Sequence, residues 1–216
     1  MNLQISFLPE RTANLFEILS NQSFISKYSL VGGTSLALQL GHRQSEDLDF
    51  VFDGEKIPTT SIKRNIAKLF PSYKLIREEK DYQVDFVVYD VKLTFFSTGA
   101  ILLPFKVMDY TFTYKKIRIA MTDIVAVLKI SAISQRCTMR DYYDLYYLAK
   151  HVMPLSDIFK KAKQLLPNIS AITYTETIIY TDDIIENAIE NHLHPKESIT
   201  KNEIADFFIS EISKMK

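Results

Sequence analysis

Two apolar periods alternate along the first 120 positions of this chain, and the helical one takes over afterwards. Over 9–22, Leu15, Phe16, Ile18 and Leu19 fall on helical spacing and predict an amphipathic helix. Residues 28–31 predict a short strand. A short helix over 34–40 follows, stopped by Gly41, and then a buried strand over 48–52, broken by Asp53 and Gly54. A helix over 60–70 ended by Pro71 and a strand over 73–79 come next. Residues 82–89 and 91–97 are apolar-rich runs on either side of Asp90 and predict a hairpin. A turn centred on Tyr89 and Asp90 pairs Val84, Phe86 and Val88 with Phe95, Leu93 and Val91 on one face, and sets Asp85 opposite Thr94 on the other. One further strand is expected over 112–120.

From Thr122, a plausible N-cap with Asp123 in the first turn, helices dominate. They are expected over 122–135, 139–150, 154–165, in one or two pieces between 170 and 191, and over 200–214. The expected organisation is therefore α+β in two domains, 1–120 with the strands and 121–216 helical.

Composition narrows the picture. The 216 residues are 47% hydrophobic and 24% charged, ordinary for a soluble globular protein. Twenty-six basic and twenty-six acidic side chains cancel, so net charge gives no support for a nucleic-acid partner. Lys63, Arg64 and Lys68, or Lys160, Lys161 and Lys163, offer local patches, although such runs are usually solvated faces. The single cysteine, Cys137, rules out an intramolecular disulfide and fits a reducing compartment. The N-terminal MNLQISFLPER is too polar for a signal peptide, and no apolar run approaches the ~20 residues a membrane helix needs. A cytoplasmic protein without membrane contact is expected.

Three of the five glycines, Gly32, Gly33 and Gly41, lie in one stretch, LVGGTSLALQLGHRQSEDLDF over 30–50. Its order is strand, glycine turn, helix, strand. Gly32 and Gly33 permit close backbone approach, the amides of the helix start favour anions, and Thr34 and Ser35 add hydroxyls. Asp47 and Asp49, two residues apart at the head of a strand, point to one face and suit Mg²⁺ (or Mn²⁺). Arg43 can meet a triphosphate bidentately, and Lys106 is a further candidate phosphate contact. No Gly-Lys-Ser/Thr follows, so an ordinary P-loop is excluded. A second constellation lies over 129–150. Lys129, Arg136 and Arg140 share one face if the helix is continuous, Arg140 sits beside Asp141 as a local charge pair, and Asp144 is one turn further on.

Together these blocks, Leu-Val-Gly-Gly-Thr-Ser-Leu-Ala-Leu, Gly41-His42-Arg43, Ser45, Asp47-Leu48-Asp49-Phe50, and then Lys129, Arg136 and Arg140-Asp141-Tyr142-Tyr143-Asp144-Leu145, resemble the AbiEii/AbiGii abortive-infection nucleotidyltransferase toxins. The resemblance implies a polymerase β-like domain with a mixed sheet followed by a helical domain. It also implies the toxin half of a bacterial toxin–antitoxin or phage-defence pair, with an antitoxin protein or its gene as partner. The implied activity moves a nucleotide from an NTP to an acceptor, with tRNA the acceptor of some relatives. Carried over, Gly32, Gly33, Thr34, Ser35, Arg43 and Ser45 bind nucleotide and Asp47 and Asp49 bind metal. Lys129 meets phosphate with Arg136 and Arg140 beside it, and Asp141 or Asp144 holds the site or aids catalysis. One departure stands out: polymerase β-like enzymes usually bring a third carboxylate from a later strand, and Thr94 occupies that place here. The hairpin register offers Asp85 as its replacement or as a residue that orients water. The missing acid also suits a catalytically weak NTP-binding or partner-binding module. Transfer to a small molecule or a protein hydroxyl is a further alternative.

Overall fold

The structure, a computed structural model, describes residues 2–168 and 170–215. It falls into two compact units, Met1–Met121 and Thr122–Lys216. The first unit contains α1 (Glu10–Ser20), β1 (Ser29–Val31), α2 (Gly32–Leu40), β2 (Leu48–Phe52), α3 (Thr59–Leu69), β3 (Lys74–Glu79), β4 (Gln83–Val88), β5 (Val91–Ser97), β6 (Thr111–Tyr114) and β7 (Ile117–Ala120). Its seven strands form one mixed sheet in the order β3-β4-β5-β2-β1-β7-β6. The pairs β2/β5 and β1/β7 are parallel and the other neighbours antiparallel.

One face of this sheet makes the core. Leu30, Phe50, Phe86, Leu93, Phe95 and Ile119 meet Leu15, Phe16 and Leu19 of α1 and Ile62 and Ile66 of α3, all buried. Phe50 and Phe95, opposite one another across β2 and β5, stack at 5.4 Å. The opposite face carries Val31, Asp49, Val51, Asp85 and Thr94, because side chains alternate along each strand.

The β4–β5 hairpin adopts the expected register: Val84 pairs with Phe95, Asp85 with Thr94, Phe86 with Leu93 and Val88 with Val91. Tyr89 and Asp90 have φ of 54° and 60°, which fits a tight two-residue turn whose twist suits an antiparallel pair. The single strand expected over 112–120 is instead a second hairpin, β6/β7, turned at Lys115 with φ 49°. Apolar residues occupy even positions at Phe112 and Tyr114 and odd ones at Ile117 and Ile119. That change of parity marks the fold-back.

The second unit contains α4 (Thr122–Ile133), α5 (Met139–His151), α6 (Leu155–Leu165), α7 (Ala171–Ile179) and α8 (Lys201–Ser213). Thr200 caps α8, accepting from the Glu203 amide while the Glu203 side chain answers the Thr200 amide. The continuous helix that would align Lys129, Arg136 and Arg140 does not form, since α4 ends at Ile133 and α5 begins at Met139. Among the described residues no helix is long and apolar enough to cross a membrane.

Candidate functional site

The glycine turn and the acid pair are brought together by strand register. β1 and β2 run antiparallel with Val31 opposite Asp49, so the residue after β1 falls beside the second aspartate. That residue is Gly32, with φ +71°, a left-handed conformation that disfavours any side chain. A Cβ there would lie 3.1 Å from Asp49 Oδ2. A Cβ on Gly33 would come to 2.5 Å from Arg43 Nη2 and 3.1 Å from Ser45 Oγ. Both glycines are therefore required by close approach, Gly32 to an acid and Gly33 to a buried guanidinium.

The hydroxyls near the bend serve the framework. Thr34 Oγ1 donates to the backbone carbonyl of Asp47 and lies 2.9 Å from Ser45 Oγ, tying the start of α2 to the segment that leads into β2. Ser35, fully buried, donates to the Ala120 carbonyl at 2.8 Å, and Gln39 donates to both Ser35 Oγ and that carbonyl. The expectation that these two hydroxyls serve phosphate thus gives way to a role in holding the bend against β2 and β7. Arg43 is buried, with Nη1 donating to the Gln44 carbonyl at 2.8 Å. Asp47 and Asp49 are half-buried. Lys106 is exposed, just before a short 3₁₀ helix whose Val107 and Met108 amides both donate to Asp53 at 2.7 Å.

A polar row crosses the sheet on this face. Arg77 of β3 pairs with Asp85, Asp85 with Thr94, Thr94 with Asp49, and Asp49 with Val31, immediately before Gly32. Asp85 is 2% exposed, accepts from Gln83 Nε2 at 2.9 Å, and has Lys92 Nζ at 3.8 Å. Thr94 is 5% exposed, and its Oγ1 has no hydrogen-bond partner among the described residues. Leaving such a group unsatisfied costs about 1–3 kcal/mol. Asp49 and Asp85 are two strands apart, about 10 Å between backbones, with Thr94 between them. The signal that Thr94 matters was its place in the hairpin register. That its hydroxyl is an orphan appears only in three dimensions.

The second unit holds the other sequence-predicted residues in an ion network of its own. Lys129 Nζ lies 2.7 Å from Asp141 Oδ1 and 2.5 Å from Asp144 Oδ2, with all three side chains 7% exposed or less. Arg136 Nε donates to Asp141 Oδ2 at 2.9 Å and Thr138 Oγ1 donates to the same oxygen at 2.7 Å. Burial by itself would raise the Asp141 pKa. The charges of Lys129 and Arg136, with hydrogen bonds from Lys129 and Thr138, outweigh it and hold the carboxyl below its usual range. The expected Arg140–Asp141 charge pair does not form: Arg140 binds Glu190 at 3.0 Å, and Asp141 faces Lys129 and Arg136.

Among the described residues, no group of three or more His, Cys, Asp and Glu side chains forms a metal site. A pair of carboxylates nonetheless suits Mg²⁺, which keeps several waters and is commonly bound by one or two carboxylates plus substrate phosphates. Asp47 and Asp49 supply hard oxygen donors, and the absence of a Cβ at Gly32 lets Asp49 Oδ2 lie close against the bend.

A mixed sheet carrying a glycine bend against an Asp-x-Asp strand is the arrangement of a nucleotidyltransferase. Residues 14–210 match the nucleotidyl transferase AbiEii toxin family of type IV toxin–antitoxin systems, and the chain belongs to that family. An uncharacterized protein, aq_aa25, from Aquifex aeolicus is 33% identical over 168 residues, covering 76% of this chain and 78% of that one. A Helicobacter pylori structure, provisionally assigned as a nucleotidyltransferase, superposes with a TM-score of 0.56 at 19% identity, over 96% of this chain and 99% of that one. MenT4, a nucleotidyltransferase toxin from Mycobacterium tuberculosis, superposes with a TM-score of 0.52 at 11% identity, over 95% of this chain and 85% of that one. At those identities the two structures speak for the fold alone.

Proposed function

We propose that this toxin nucleotidyltransferase acts with Mg²⁺ to move a nucleotide from an NTP onto a hydroxyl of RNA, with tRNA the favoured acceptor, inside the cytoplasm of a bacterium defending itself by abortive infection. The observation that carries the reading is the pairing of Val31 with Asp49, which sets the Gly32 bend against the second acid of the Asp-x-Asp pair. In this reading Asp47 and Asp49 hold the metal ion, and the ion when bound neutralises charge on the phosphates. Amides at the start of α2 receive the triphosphate, and Arg43 lines that bend beside Gly33. The acceptor oxygen attacks the α-phosphorus, the bond to the bridging oxygen of pyrophosphate breaks, and the acceptor proton passes to a base. Residues 1–120 carry these parts. The helical 121–216 adds the Lys129–Asp141–Asp144 network, and an antitoxin protein or its gene is the partner.

The test is direct. The full chain is incubated with each labelled NTP, Mg²⁺ and total RNA, beside Asp49→Ala. Label on RNA that depends on Asp49 supports transfer. Thr94 in place of a third acid favours a second reading, a catalytically weak NTP-binding module. Nucleotide binding with no label moved to any acceptor would select that one.

A further inference from the structure

The polar row contains a feature that the reaction above leaves unused. Thr94 Oγ1 is buried without a partner among the described residues, while the neighbouring rows on the same face carry Val51, Phe96 and Gln83 on one side and Val87 and Lys92 on the other. A hydroxyl kept in such a place wants a partner that arrives with a ligand. Its neighbours identify the chemistry. On one side stands Asp49, one parallel strand spacing away, roughly 4.8 Å. On the other stands Asp85, its directly opposed residue, roughly 5 Å away at Cβ. The hydroxyl therefore lies between an acid beside the glycine bend and an acid one strand further out.

We propose that Thr94 receives the attacking hydroxyl of the acceptor, and that Asp85 is a positioning residue acting through it. This assignment rests on the nucleotidyl-transfer reading. The acceptor O–H donates to Thr94 Oγ1, and the Thr94 O–H donates to the Asp85 carboxylate. As the acceptor oxygen bonds to the α-phosphorus and the pyrophosphate oxygen leaves, the acceptor proton moves to Thr94 and the Thr94 proton moves to Asp85. Thr94 ends as it began, and one proton has crossed from acceptor to carboxylate. Gln83, donating to Asp85 Oδ1, fixes the carboxylate in place, and Lys92 Nζ lies 3.8 Å from Oδ2. The pair does together what a single acid on β5 would do in a polymerase β-like site.

The test compares Thr94→Val, Thr94→Ser, Asp85→Asn and the Thr94→Val/Asp85→Asn double variant of the full chain. Transfer of labelled NTP to total RNA, NTP affinity and thermal melting are measured for each. Valine keeps the shape and removes only the hydroxyl. Thr94→Val is expected to melt at or above the wild-type temperature, to bind NTP within twofold of wild type, and to transfer about 100-fold more slowly. Thr94→Ser restores transfer, and the double variant is no slower than Thr94→Val because both lie on one proton path. Transfer by Thr94→Val within threefold of wild type overturns the assignment. So does a Thr94→Ser variant as slow as Thr94→Val, which would make the methyl group the important part, or a Thr94→Val variant that melts well below wild type, which would mean the hydroxyl already serves the fold. A wild-type chain that moves no label sinks the transfer reading and this assignment with it, an outcome no Thr94 variant can mimic.

Discussion

Replacing Lys129 with methionine separates two roles that the residue could have. In the structure its ammonium sits 2.7 Å from Asp141 and 2.5 Å from Asp144. Four charged side chains meet there, Lys129 and Arg136 positive, Asp141 and Asp144 negative. Lys129→Met takes the ammonium from between two carboxylates exposed by 2% and 0%, and the Arg136 guanidinium on Asp141 is 65% exposed and largely screened by water. Stranding buried charge by removing one partner costs about 3–5 kcal/mol. Urea unfolding of the full chain, followed by helical circular dichroism at pH 7, should show a loss of that size. Adding Asp144→Asn to Lys129→Met should recover part of it, with a coupling of about 0.5–3 kcal/mol between the sites. A Lys129→Met chain that unfolds within about 1 kcal/mol of wild type, yet binds NTP poorly, would refute this reasoning. Lys129 would then be spending its charge on phosphate, as the sequence pattern suggested.

Gly33→Ala should disturb the bend without changing its charge, since the new Cβ would meet Arg43 Nη2 at 2.5 Å and that guanidinium is held by the Gln44 carbonyl. A stability loss of about 1–3 kcal/mol from overpacking is expected in urea, together with weaker NTP binding by calorimetry; unchanged affinity would remove Gly33 from the site. Acid should weaken the helical unit in a defined window. Burial favours the neutral acid at both Asp141 and Glu197, but Lys129 and Arg136 outweigh it at the first, and hydrogen bonds from Lys150, Tyr146 and His151 outweigh it at the second, to about 2. Both folded values lie below the unfolded ones. Their contribution is therefore complete above the ordinary carboxylate range, near pH 4, and lost as pH falls towards 2. Glu197→Gln should unfold more easily at pH 7 and lose less between pH 4 and pH 2 than wild type. Equal losses in the two proteins over that interval would contradict the assignment.

What the sequence made legible follows from the range of the forces involved. Strand parity is local, so the alternation of Val84, Phe86 and Val88 against Val91, Leu93 and Phe95 fixed the hairpin register and with it the Asp85–Thr94 pair. The glycine bend was legible because glycines crowd into it. Partner choice was not. Thr34 and Ser35 are small hydroxyls that serve phosphate and backbone equally well, and their true acceptors, the carbonyls of Asp47 and Ala120, are 13 and 85 positions away. Asp141 likewise turned from its neighbour Arg140 to Lys129, twelve positions off, because helical geometry sends adjacent residues to different faces.

The two groups of acids in this chain are set in opposite electrical surroundings, and that contrast bears on what each can do. Asp141 and Asp144 have a lysine between them, deep in a helical unit, so their charge is already answered and removing the answer is expensive. Asp47 and Asp49 are half-buried beside a glycine bend, on a strand whose lateral neighbour is a neutral hydroxyl rather than a third acid. In the proposed assignment the acceptor acid stands one strand outwards, at Asp85 with Lys92 near it, about 10 Å from Asp49 between backbones. The neutral Thr94 is then the one group in the row positioned to connect the nucleotide side to the distant carboxylate. For that reason the Thr94 hydroxyl, rather than either aspartate beside it, is the side chain whose removal should slow transfer without weakening the fold.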